Sequence, residues 1–141
     1  MNRTIFASLA GLLAVCLIGF LAYAQQLAAG DDEGLEAPMV EVILPDLGPD
    51  ERGGEAAFNK FCVECHGRTA GGREGFGPPL VHEIYEPDHH ADISFLYAPI
   101  VGVKAHHWSF GNMPSIPGIT EEETALVLKY VRALQVANGI Q

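Results

Sequence analysis

The stretch Cys62-Val63-Glu64-Cys65-His66 limits what this chain can fold into more than any other part of it. Two thiols three positions apart fit within one helical turn, and an imidazole follows the second at once. The remaining cysteine, Cys16, lies far upstream in an apolar run. From Asp50 the sequence reads as a helix running into the cysteine pair, with Gly54, Phe58, Phe61 and Cys62 recurring on one face and carrying Cys62 inward. Residues 67–90 hold too many glycines and prolines for a helix of any length and read as loop. Residues 91–103 look helical from about Asp92, with Pro99 removing a backbone hydrogen bond and bending or shortening the helix. The last element is marked most sharply. Thr120 and Glu123 form a capping box, and Glu121 and Glu122 suit the positive end of the helix dipole. Val127, Tyr130, Val131 and Leu134 make an apolar stripe, and Asn138-Gly139 offers a stop. No alternating pattern argues for a sheet and no repeat is present. A few short helices joined by glycine-rich loops bury little apolar area, so the domain needs a staple or a large prosthetic group. Cys62 and Cys65 must supply it.

Three chemistries use two cysteines at this spacing. A structural zinc site needs four ligands, and no second cysteine pair exists. A thioredoxin-like dithiol follows a strand and opens a helix, whereas these cysteines end a helix in a chain without strands. Covalent haem attachment fits best: each thiol adds to a vinyl group of the porphyrin and the adjacent His66 binds the iron from one side. The second axial position then has Met113, His106 and His107 as candidates, with His82, His89 and His90 behind them. Met113 is favoured, because packing on a helix stripe, the usual use of a lone methionine, is not open to a residue set in the glycine- and proline-bounded loop 110–118.

The charge and the leader bear on location. Arg3 is followed by an uncharged, mostly apolar run from Ile5 to Ala24, which reads as an export signal. It ends in Ala22-Tyr23-Ala24, a small-x-small site for signal peptidase, so cleavage after Ala24 is the favoured reading. A run of about 20 residues also suffices to span a bilayer, which leaves a membrane tether through residues 4–24 as the other reading. Either way the positive-inside rule places the rest of the chain in the periplasm or its equivalent. The formal net charge of −10 is concentrated upstream, where residues 25–52 carry eight acids against Arg52. With Pro38, Pro45 and Pro49, residues 25–49 read as an extended, solvated acidic linker between a leader over residues 1–24 and a domain over residues 50–141. So acidic a chain makes nucleic acid an unsuitable partner.

In these features the chain resembles a class I c-type cytochrome from about Gly53 to Gln141. Besides Cys62, Cys65 and His66 it has Gly54 and Phe58 before the first cysteine, Gly77-Pro78-Pro79-Leu80, and Gly111-Asn112-Met113-Pro114. The resemblance implies an all-α fold, a small cytochrome c fold wrapped around one covalently bound haem c and preceded by an N-terminal signal or anchor helix. It implies that Gly54 and Phe58 pack against an aromatic of the closing helix, for which Tyr130 fits. It further implies that the Pro78 carbonyl accepts a hydrogen bond from His66, that Leu80 lies against the ring, and that Met113 is the distal ligand. The implied function is electron transport: an exported, monohaem carrier that is not an enzyme and exchanges single electrons with a dehydrogenase, a quinol-oxidising complex or a terminal oxidase. A haem peroxidase or gas sensor with a labile distal ligand is the alternative from the enzyme class, and a copper-linked redox partner using the histidine pairs is another. Pro99 and the His106-His107-Trp108 triplet depart from the plainest members. Trp108 is expected beside the haem, with the histidines on a propionate or solvent, or else joined with His89 and His90 in a metal or partner contact.

Overall fold

The computed structural model describes residues 37–141, together with residues 18–21 and 23 of the upstream segment. Those five are helical with exposed side chains, and the rest of the expected leader lies outside the described residues. Among the described residues no helix is long and apolar enough to cross a membrane.

Helix α1, Pro49–Phe61, starts with proline at a position where its missing N–H costs nothing, and Asp50 and Glu51 in its first turn oppose the helix dipole. Cys62 joins it to the single turn α2, Val63–His66. A 3₁₀ turn at Glu83–Tyr85 interrupts the long loop, and α3 spans Asp92–Val101. The closing helix α4, Glu121–Ala137, carries the expected capping box: Glu123 N donates to Thr120 Oγ1 at 3.1 Å and Thr120 N to Glu123 Oε2 at 3.0 Å. It stops at Asn138, with Gly139 following at φ +80°. Among the described residues there is no strand, only isolated bridges between Arg73 and Gly77 and between Val103 and Met113.

The core is the crossing of α1 and α4. Phe58, Val131 and Leu134 are fully buried, with Tyr130 and Val127 beside them. Gly54 makes the crossing possible, since a Cβ there would overlap the Leu126 carbonyl oxygen and lie 2.8 Å from Tyr130 Cβ. With the two backbones in contact, Phe58 and Tyr130 meet at 5.4 Å between ring centroids, tilted by 58°. Helix α3 packs on α4 with Pro99 buried inside it, and it ends where Gly102, at φ +79°, turns the backbone out of the helix.

Part of the stretch expected to be a solvated linker is fastened to the domain. Val40 N donates to Gly71 O at 3.0 Å, and Asn138 brackets Ile43, accepting from its N–H at 2.8 Å and donating to its carbonyl at 2.9 Å. Arg52 holds the Leu47 carbonyl, and Val42 and Leu47 pack on the core. The segment is irregular, as its prolines dictate, but its apolar residues have a surface to cover. Reading it by its charge and its prolines hid this.

Candidate haem site

The end of α1 and the turn of α2 set the first group of site residues. His66 N donates to Cys62 O at 3.0 Å and Cys65 N to the same oxygen at 3.2 Å, so thiols and imidazole share one helical turn. Cys62 and His66 are buried, while Cys65 is exposed. Burial, and secondarily Cys65, push the pKa of the Cys62 thiol up to about 12. His66 lies 2.9 Å through Nδ1 from the Pro78 carbonyl, which as an acceptor only must receive an Nδ1–H. That fixes the tautomer and leaves Nε2 with the lone pair. Burial holds the His66 pKa below the ordinary histidine value, against the opposing pull of Pro78, so the ring stays neutral.

Cys62, His66, Pro78, Leu80, Trp108 and Met113 line one cavity of about 450 Å³. Its walls include Phe95 and Val103 and the inward face of α4 at Val127 and Val131. Leu80 is placed by Ala70, which at φ +56° turns its carbonyl to accept from Leu80 N at 2.7 Å. The Gln135 side chain donates to the Leu80 carbonyl at 2.8 Å. Met113 sits on a braced loop. It exchanges hydrogen bonds of 2.9 and 3.0 Å with Val103, and Ile116 N donates to Pro99 O at 2.7 Å. Gly102, at φ +79°, lets the loop close in, because a Cβ there would stand 2.8 Å from the Met113 carbonyl oxygen.

Trp108 is the odd member. Its ring stacks on Phe110 at 5.9 Å and meets His82 edge-on at 5.2 Å. The indole Nε1 is near enough to Tyr85 to temper the rise that burial gives the Tyr85 hydroxyl, yet it is buried without a hydrogen bond of acceptable geometry. An unmatched buried N–H costs about 1–3 kcal/mol and points to an acceptor in the cavity. The residues therefore fit a haem: an apolar slot, an imidazole with one nitrogen committed, a thioether, a buried thiol with a second beside it, and a buried donor for an acidic edge group.

A family model for cytochrome c matches residues 51–135. The chain belongs to the cytochrome c family. No curated protein and no solved structure matches it. The family assignment bears out the resemblance and the all-α haem-protein fold expected from the sequence. Cytochromes c carry haem c covalently and transfer electrons, and this one retains both cysteines for the attachment. Six of the seven expected site residues line the cavity, and Cys65 stands outside the lining. Sequence reading missed Tyr85, Phe95, Val103 and Phe110 as wall residues. It also missed Arg132, which donates to the carbonyls of Tyr85 at 2.7 Å and His90 at 2.6 Å and holds the loop over the cavity. An arginine directly after Val131, flanking the apolar stripe of α4, was the available signal. His89, His90, His106 and His107 gather at the rim of the same cavity, whereas His82 is turned to its own backbone, accepting from Ile84 N at 3.2 Å.

Proposed function

We propose that this cytochrome c is an exported, monohaem carrier of single electrons, with redox proteins such as a dehydrogenase, a quinol-oxidising complex or a terminal oxidase as donors and acceptors. The observation that carries the reading is His66, buried, neutral and bound through Nδ1 to Pro78 O, in a cavity it shares with Met113. Cys62 from within the cavity and Cys65 from its edge would hold the porphyrin, and His66 Nε2 and the Met113 thioether would hold the iron. Bound there, haem c would supply one-electron redox chemistry, at a potential that a histidine and a methionine ligand raise. The chain's part is to keep that site rigid and dry. The Pro78 carbonyl fixes the His66 ring and makes it a stronger donor. Phe95, Val103, Val127 and Val131 exclude water. The braced loop favours a fixed sixth ligand over the vacated position that peroxidase or gas-sensor chemistry requires.

Export rests on Arg3 and the apolar run behind it, with the domain soluble after cleavage or tethered on the periplasmic side. Haem-stained denaturing gels of fractionated cells test both parts together. A stained band belongs in the periplasmic fraction at the mass of residues 25–141, or in the membrane fraction at that of the full chain, and it should weaken strongly in Cys62→Ser and Cys65→Ser. A wild-type band without haem stain overturns covalent attachment, and a stained band confined to the cytoplasm overturns export.

A further inference from the structure

Four of the six histidines meet at one place that the haem site does not use for iron. The loop after the 3₁₀ turn brings His89 and His90, and the segment after α3 brings His106 and His107. Ring centroids lie 5.1 Å apart between His89 and His107, 5.1 Å between His90 and His107, and 4.8 Å between His89 and His90. Each of these three offers a ring nitrogen, and the three nitrogens lie within 4.8 Å of one another. We propose that His89, His90 and His107 form a second metal site, which takes a divalent ion of the late first row, Zn²⁺ or Cu²⁺, at the rim of the haem cavity.

Three observations carry this. The Nε2 atoms of His89 and His107 are 3.2 Å apart. Two ligands on a tetrahedral ion with bonds of ~2.0–2.1 Å are separated by about 3.3 Å, so this pair already has the required bite. His90 has its Nδ1 2.6 Å from the Ile84 carbonyl, which commits that nitrogen as donor and turns Nε2 outward as the lone pair. A ligating histidine whose other nitrogen donates to a carbonyl is the ordinary support of a metal site.

Both segments are also held before any ion arrives. His89 N and His90 N donate to Glu86 O at 3.1 and 2.8 Å, Arg132 grips the His90 carbonyl at 2.6 Å, and Asn112 accepts from Ala105 N at 2.9 Å. His89 and His107 are exposed and His90 half-buried, so an ion enters from solution and a fourth position stays open to water. Imidazole without carboxylate selects zinc and copper over calcium or magnesium, with copper the tighter of the two.

The competing occupant is a haem propionate, which would claim the same imidazoles. The holoprotein, haem in place, therefore makes the test. After dialysis against a chelator it is equilibrated with Zn²⁺ or Cu²⁺, and metal and iron are quantified together, with the haem absorption spectrum recorded throughout. We expect one added ion per iron at micromolar or tighter affinity and an unchanged haem spectrum. Because even supporting residues of a metal site change affinity by about 10–100-fold, His89→Ala and His107→Ala should each weaken uptake at least about tenfold. Both residues are exposed, and an unaltered haem spectrum reports that the variants are folded. Failure of the holoprotein to take up stoichiometric metal, or uptake that neither substitution weakens, overturns the site. Neither result touches the electron-carrier reading, which rests on His66 and Met113.

Discussion

An imidazole with Nδ1 committed to a carbonyl can offer only Nε2, and burial keeps that nitrogen unprotonated. Pro78 and the apolar wall thus do for His66 what no neighbour in sequence could. Met113 has no such chemical preparation; its seat is set by backbone, through the bridge to Val103 and the turn at Gly102. Met113→Ala should leave the braced loop intact while removing the thioether. We expect the ferric variant to bind cyanide stoichiometrically where the wild type resists it, and its potential to fall as the methionine contribution is lost. His106 and His107 lie six or seven positions away at the cavity rim, and their capture of the iron would show instead as a bis-histidine spectrum with a still lower potential. A variant with the wild-type ferric spectrum and potential would make Met113 a packing residue. The residues proposed to hold the iron stood out in sequence because spacing announces them: His66 by adjacency to Cys65, Met113 by its glycine- and proline-bounded loop. The wall was not. Phe95 and Val103 carry no motif, and Val127 and Val131 sit on a stripe that reads as core whether it faces protein or a prosthetic group.

Helices α1 and α4 were legible for a different reason, since each has end signals and one apolar face. Thr120 with Glu123 marks the start of α4 and Val127, Tyr130, Val131 and Leu134 its apolar face, while on α1 Gly54, Phe58, Phe61 and Cys62 recur on one side. Helix α3 has neither advantage. Ile93, Tyr97, Ile100 and Val101 lie exposed on its outer side while Phe95 lines the cavity, so hydropathy could not say which face turns inward. The crossing of α1 and α4 depends on a single missing side chain. Glycine inside a helix costs about 1 kcal/mol against alanine, so Gly54→Ala would stabilise an isolated α1. In the folded protein the added Cβ meets the Leu126 carbonyl oxygen, which is backbone and cannot rotate away. Overpacking of this kind costs about 1–3 kcal/mol, which exceeds the helix gain. Denaturant unfolding of Gly54→Ala should therefore show a lower midpoint with an unchanged slope. A midpoint equal to or above that of wild type would mean that the two helices have room to separate.

At the scale of the whole molecule, the segment 40–47 is the part whose role charge patterning misled. It closes over the domain from Gly71 to the end of α4, joining the loop beyond His66 to the helix that forms the cavity wall. Asn138 is the pivot, because its side chain makes both hydrogen bonds to Ile43 and also donates to Leu134 O at 2.8 Å at the end of α4. Replacing it with alanine removes the partners of the Ile43 N–H and carbonyl together. With each of the three side-chain hydrogen bonds contributing about 0.5–1.5 kcal/mol, Asn138→Ala should cost about 1.5–4.5 kcal/mol of stability. A loss of that size could come from the cap alone, so the decisive reading is local. In native-state amide exchange the Ile43 N–H should lose most of its protection in the variant, while Val40 N–H, which donates to Gly71 O, keeps more of its own. The amides of α1 and α4 near Phe58 and Tyr130 should slow or quicken only with global stability. If Ile43 exchanges equally fast in both proteins, the Asn138 side chain does not hold this segment, and its attachment rests on Val40, Val42 and Leu47 alone.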